Sequence, residues 1–146
     1  MTALYLFILC LWCHVLDDYW LQGCMAKLKQ RDWWRGQLTE EMVKRGTRLE
    51  DTIYRHDYIA ALAMHAAQWA VSIMVPLIIV RPWEAGFYVV AWLINAPLHA
   101  LVDDLKANRH LVSLVNDQLF HVLQVECTVM AWAFWVHLPM NSFFAS

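Results

Sequence analysis

Long apolar blocks, separated by one sizeable polar stretch, dominate the pattern of this chain. A helix needs about 20 apolar residues to cross the hydrocarbon layer of a bilayer. Four segments come close to that length, at approximately residues 2–23, 58–80, 85–102 and 117–138. The first has a clean apolar run only from Ala3 to Val15, and the third is short and contains Pro97, which predicts a kink. The pattern predicts an all-α polytopic membrane protein, a single domain built as a bundle of about four transmembrane helices.

Composition supports this interpretation. The chain is 60% hydrophobic and only 16% charged, whereas a soluble domain normally has about a quarter charged residues. This balance disfavours a soluble all-helical protein with buried helices. No Lys or Arg precedes Lys27, so the basic region that opens a cleavable signal peptide is not expected.

The distribution of positive charge predicts an orientation. Most Lys and Arg residues lie in the polar stretch 24–57, and Lys106 and Arg109 lie between the third and fourth blocks. The positive-inside rule places both loops in the cytoplasm and both termini outside. Within the long loop, residues 37–48 either form an amphipathic surface helix capped by Thr39 or remain a solvated loop. Its acidic residues argue against nucleic-acid binding, and attraction to anionic lipid headgroups explains its basic residues more simply.

Every predicted span carries a histidine, although ionisable groups at membrane depth are costly. Residues three or four apart share one face of a helix, and this spacing orders the polar residues into stripes. The stripes are His14, Asp18 and Gln22; His65, Gln68 and Ser72; Asn95, His99, Asp103 and Lys106; and Asp117, His121 and Gln124. The predicted topology puts all four histidines at a similar depth in the cytoplasmic half of the bilayer. We therefore expect one cluster to which all four helices contribute.

Two interpretations of this cluster stay open. Imidazole and carboxylate groups on facing helices are a usual way to build a metal site in a bundle core, and this donor set suits a divalent metal such as zinc, iron or manganese. A hydrogen-bonded polar network without metal is the alternative. Under the metal interpretation the expected ligands are His14, Asp18, His65, His99, Asp103, Asp117 and His121. A spare aspartate would act as general base, so the catalytic candidates are Asp18, Asp103 and Asp117.

The first span also contains a C-x-x-C-H pattern, Cys10-Leu-Trp-Cys13-His14, which is typical of covalent haem attachment. Haem attachment requires the outer compartment, whereas the charge rule puts this end of the span inside. His14 also belongs to the His–Asp stripe. Both points disfavour haem.

Three short motifs carry a family resemblance. They are His14-Val-Leu-Asp17-Asp18-Tyr-Trp-Leu-Gln22 with Met25-Ala-Lys27 after it, His99-Ala-Leu-Val-Asp103-Asp104-Leu-Lys106-Ala-Asn108, and Asp117-Gln118-Leu-Phe-His121. Their order and spacing resemble the domain-of-unknown-function 3307 family, small membrane proteins of bacteria and their phages. The resemblance implies a location in the bacterial inner membrane. The resemblance covers nearly the whole chain except residues 31–55, and it implies no particular activity. It implies a characteristic set that also includes the candidate cofactor- or headgroup-binding residues Gln22, Lys27, Lys106 and Gln118.

Three functions fit these features. The first is a metal-dependent hydrolase at the cytoplasmic membrane surface, with Lys27 and Lys106 holding an anionic headgroup. The second is a non-catalytic scaffold or partner subunit, host- or phage-encoded, that is held together by a polar core. The third is an ion or proton pathway, which would need a homo-oligomer because four helices enclose little room for a conduit.

Overall fold

Four long helical stretches form the frame of the protein. The computed structural model describes residues 3–137, and the chain is 81% helical, with no strand among these residues. The helices are α1 (Ala3–Leu16), α2 (Met25–Leu28), α3 (Arg31–Arg35), α4 (Glu40–Lys44), α5 (Asp57–Ser72), α6 (Val75–Val80), α7 (Ala85–Ala107) and α8 (Leu114–His137). The stretches long and apolar enough to cross a membrane are Ala3–Leu21, Ile53–Val80, Ala85–Ala107 and Leu114–His137. The predicted all-α fold with four membrane-spanning helices is confirmed.

The bounds of the helices differ from those expected. The third helix continues to Ala107 and remains helical through Pro97, whose missing N–H removes only one backbone hydrogen bond. The second stretch is interrupted after Ser72 and resumes as α6, where Pro76 occupies the first turn, a position that needs no N–H donor. The fourth helix begins earlier than expected, at Leu114. The outermost ends of the first and fourth predicted spans, residues 2 and 138, lie outside the described residues.

The interior of the bundle has an apolar half and a polar half. Helix α5 packs against α7, and α8 packs against both α1 and α7. The apolar half contains Leu6, Cys10, Ile73, Met74, Leu77, Phe87, Val125, Val129 and Trp132. The polar half contains His14, Asp17, Asp18, His65, His99, Asp103, Asp117 and His121, which we call the His/Asp cluster. Large apolar side chains cover the outside of the long helices, as contact with a lipid bilayer requires.

The polar loop before α5 contains only short helices. The Thr39 hydroxyl accepts a hydrogen bond from the backbone N–H of Met42 at 3.3 Å, so the predicted cap is present. The helix that it caps is much shorter than residues 37–48. Gly46 follows it with a positive φ of 76°, a conformation that favours glycine and commonly ends helices.

Candidate metal centre

The first helix widens where its carboxylates enter the bundle. Residues Asp17–Leu21 form a π-helical turn, in which the N–H of Gln22 reaches the carbonyl of Asp17, five residues back. Such turns are rare and frequently occur at functional sites. Here both Asp17 and Asp18 are buried. Asp17 Oδ1 accepts hydrogen bonds from the Gln68 amide at 2.8 Å and the Ser72 hydroxyl at 2.9 Å.

A first group of donor atoms converges from three helices. His65 Nε2 lies 3.2 Å from His99 Nε2, 3.3 Å from Asp18 Oδ1 and 3.5 Å from Asp103 Oδ2. His99 Nε2 lies 3.9 Å from Asp18 Oδ1 and 3.7 Å from Asp103 Oδ2. Four tetrahedral ligands at about 2.0–2.2 Å from zinc lie about 3.3–3.6 Å from one another. The Asp18, His65 and His99 donor atoms therefore have a spacing that could hold a metal ion.

A second group adjoins the first through His99, and it includes Asp103 and His121. The Gln124 side-chain oxygen lies 3.2 Å from His121 Nδ1 and accepts a hydrogen bond from its N–H, so the lone pair of the ring is on Nε2. That Nε2 atom faces Asp103 Oδ1 at 3.6 Å and Asp117 Oδ1 at 3.4 Å. A lone pair aimed at two carboxylate oxygens requires a cation or a proton between them.

Several buried atoms of these groups have no hydrogen-bond partner within residues 3–137. They include Asp18 Oδ1, Asp117 Oδ1 and His121 Nε2. Buried polar atoms are normally paired, and leaving one unpaired costs about 1–3 kcal/mol. A polar network that only joined helices would pair these atoms with one another through shared protons. Their convergence instead favours a site that accepts a cation.

The charges of the His/Asp cluster also favour a cation site. Lys29 Nζ lies 2.5 Å from Asp103 Oδ2, and Lys106 Nζ lies 2.6 Å from Asp117 Oδ2. Among the described residues, the ionisable groups within ion-pair distance of Asp17 and Asp18 are all histidines. Four carboxylates against two ammonium groups leave two formal negative charges when the histidines are neutral. One divalent cation would balance them.

His14 has a different environment from the other three histidines of the cluster. Its Nδ1 accepts a hydrogen bond from the indole N–H of Trp69 at 2.9 Å, so the ring proton is on Nε2, which donates to Gln118 Oε1 at 3.2 Å. The Gln118 amide nitrogen donates in turn to Asp117 at 3.1 Å and Asp18 at 3.4 Å. His14 was expected among the ligands, but both of its nitrogens are engaged in this hydrogen-bonded network.

Lys27, which the sequence singles out, and Lys29, which it does not, differ in their distance from the cluster. Lys27 is exposed, whereas Lys29 is buried against Asp103. The side chain of Asn108, at the end of α7, fixes this segment: its amide donates to the carbonyl of Lys29 at 3.2 Å, and its oxygen accepts from the N–H of Arg31 at 2.7 Å. Sequence reasoning did not single out Lys29 or Asp17 as site residues. Asp17 lies three residues after His14, and this spacing could have identified it.

A cavity of about 360 Å³ adjoins the cluster beside the polar loop. We call it the mouth. Its lining includes Gln22, Lys29, Gln30, Asp103, Lys106 and His110. Asp103 therefore belongs both to the cluster and to the lining of the mouth.

Comparisons of the chain with protein-family models, with curated proteins and with solved structures found no match.

Proposed function

We propose that this protein is a membrane-embedded hydrolase that depends on a divalent metal, with zinc as the first candidate. The observation that carries the proposal is the convergence of buried imidazole and carboxylate atoms from all four long helices on one net-negative cluster, in which Asp18 Oδ1, Asp117 Oδ1 and His121 Nε2 have no hydrogen-bond partner among the described residues. Asp18, His65, His99, Asp103 and His121 would hold the metal.

The chemistry suits the cleavage of a phosphate or carboxylate ester. A bound divalent cation supplies a Lewis acid that polarises the phosphoryl or acyl oxygen. The unpaired Asp117 Oδ1 is placed to accept the proton of an attacking water. The water oxygen bonds to phosphorus or to the acyl carbon, the ester bond breaks, and the leaving alcohol oxygen takes up the proton that Asp117 accepted. Gln118, bonded to Asp117 and Asp18, would keep both carboxylates in position.

The location proposed for this reaction is the cytoplasmic side of a bacterial inner membrane. The basic loops support that orientation through the positive-inside rule. Membership of the domain-of-unknown-function 3307 family is part of the proposal, because every cluster residue except His65 lies within the three motifs that resemble this family.

The proposal is tested with purified protein and the chromogenic esters p-nitrophenyl phosphate and p-nitrophenyl acetate. We expect release of p-nitrophenol that disappears on chelation and returns with zinc or manganese. Asp117→Asn should remove turnover while keeping bound metal, and the matched control Asp104→Asn should keep both, because Asp104 pairs with Arg109 away from the cluster. Turnover of wild type that is indifferent to chelator, or an Asp117→Asn variant as active as wild type, would contradict the hydrolase.

A non-catalytic scaffold with a polar core is the second candidate. The observation that favours it is the continuous network from Trp69 through His14 and Gln118 to the carboxylates, since such networks join membrane helices. This function predicts that His99→Ala lowers thermal stability without removing any turnover.

The third candidate, an ion or proton pathway, is disfavoured within one chain, because buried Leu77 and Val125 belong to an apolar layer beside the cluster.

A further inference from the structure

We propose that the mouth is a binding site for a phosphate group, held by Lys29 and Lys106 next to the metal centre. This inference deepens the proposed function and rests on it, because it names the substrate class as a phosphomonoester. Two ammonium groups line the mouth, and lysine is a common phosphate ligand as a point charge.

The position of Lys29 is the first argument. A lysine is rarely as buried as this one, whose side chain is 10% exposed. Its backbone is fixed by Asn108, and its ammonium group lines the mouth beside Asp103. A lysine needed only for attraction to lipid headgroups would gain more from an exposed position, such as that of Lys27.

The sharing of carboxylate oxygens is the second argument. Asp103 Oδ2 lies 2.5 Å from the Lys29 ammonium, and the same oxygen lies 3.5 Å from His65 Nε2 and 3.7 Å from His99 Nε2. A cation held by these histidines would compete with Lys29 for that oxygen. Metal binding would therefore weaken the ion pair and make the Lys29 ammonium available to an anion in the mouth.

Lys106 also lines the mouth. Its ammonium lies 2.6 Å from Asp117 Oδ2, and its side chain is 32% exposed, so it can turn toward the cavity. Gln22 and His110 add polar side chains to the lining. The cavity volume of about 360 Å³ falls at the lower end of the range of about 300–1,000 Å³ for small-molecule sites. It suits a phosphate group with a small part of the molecule that carries it.

The test measures inorganic phosphate binding by titration calorimetry, with zinc-loaded full-length protein in phosphatidylcholine nanodiscs. We expect Lys29→Gln and Lys106→Gln each to raise the phosphate Kd about tenfold or more, since each removes a charge-assisted contact. Lys27→Gln is the matched control, two residues from Lys29 but exposed, and it should bind phosphate as wild type does. Zinc content and size-exclusion profile are recorded for every variant, so that misfolding is distinguished from a loss of phosphate binding.

Each outcome has a distinct meaning. Zinc-loaded wild type that fails to bind phosphate, or lysine variants of the mouth that bind it as tightly as wild type, would overturn the inference and leave the metal centre standing. Wild type that holds no zinc or other divalent metal would overturn the proposed function itself. Nanodiscs that contain phosphatidic acid show which molecule carries the bound phosphate group. If phosphatidic acid weakens the binding of inorganic phosphate, the natural ligand is a lipid headgroup; if it does not, the ligand is a soluble phosphomonoester. Both results support the phosphate site.

Discussion

Asp17 offers a sharp test of how the cluster is organised. Its Oδ2 atom and His65 Nδ1 are both buried without a hydrogen-bond partner and lie 4.0 Å apart. A shift of about 1 Å would bring them to hydrogen-bond distance. Histidine ligands of metals usually donate their second ring N–H to such a carboxylate, which fixes the tautomer that leaves the other nitrogen free for the metal. We therefore expect Asp17 to act as a positioning residue for His65.

The perturbation is Asp17→Asn. Asparagine has nearly the same volume, and its oxygen still accepts the hydrogen bonds from Gln68 and Ser72, so the helix contacts persist. Its amide group, however, would donate to His65 Nδ1 and thereby move the ring proton to Nε2, the atom that faces His99 and Asp18. Loss of such supporting contacts typically costs 10–100-fold in metal affinity, which is about 1.4–2.7 kcal/mol.

The assay is competition between the purified protein and a chromophoric chelator for zinc. We expect Asp17→Asn to lower the zinc affinity by about 10–100-fold while size-exclusion behaviour and helical circular dichroism stay as in wild type. Asp104→Asn, which changes a surface-paired carboxylate, should leave the affinity unchanged. An Asp17→Asn variant that binds zinc as tightly as wild type would refute the positioning role of Asp17 and the assignment of His65 Nε2 as a ligand.

Three further predictions concern other parts of the molecule. Gln124→Leu removes the acceptor that holds the His121 Nδ1 proton, so zinc affinity should fall about 10–100-fold in the same competition assay, and unchanged affinity would contradict the Nδ1-protonated tautomer of His121. Asn108→Ala removes two hydrogen bonds that fix the polar loop, so trypsin should cleave after Arg31 faster than in wild type, and an equal rate would show that other contacts fix the loop. Exposed Cys24 should react with a membrane-impermeant maleimide in inverted vesicles but not in right-side-out ones; the reverse pattern would invert the proposed topology.

The four-helix frame and the cluster could be predicted because they depend on local pattern. Apolar length predicts a span directly. Residues four apart, such as His99 and Asp103, must share a helix face, so the stripes follow from spacing alone. The convergence of His65, His99 and His121 then followed from the charge rule and the common depth that it predicts.

The rest of the site depends on contacts between segments far apart in the chain. Lys29 is buried because the polar loop folds back onto α7 through Asn108, and no periodicity in the loop predicts that contact. Asp17 shares a helix face with His14, but its hydrogen bonds to Gln68 and Ser72 join segments more than 50 residues apart, which helical spacing does not describe. The role of His14 is set by Trp69, 55 residues away, whose indole N–H occupies the nitrogen that a metal would need.

The central claim is that the His/Asp cluster holds a divalent metal. Elemental analysis of protein purified without any chelator tests it most directly, with His99→Ala as the comparison because His99 belongs to both donor groups. We predict at least one zinc, manganese or iron ion per wild-type chain and a substoichiometric amount in His99→Ala that remains folded. Wild-type protein with no divalent metal, before and after dialysis against zinc, would contradict the account and leave a metal-free polar core.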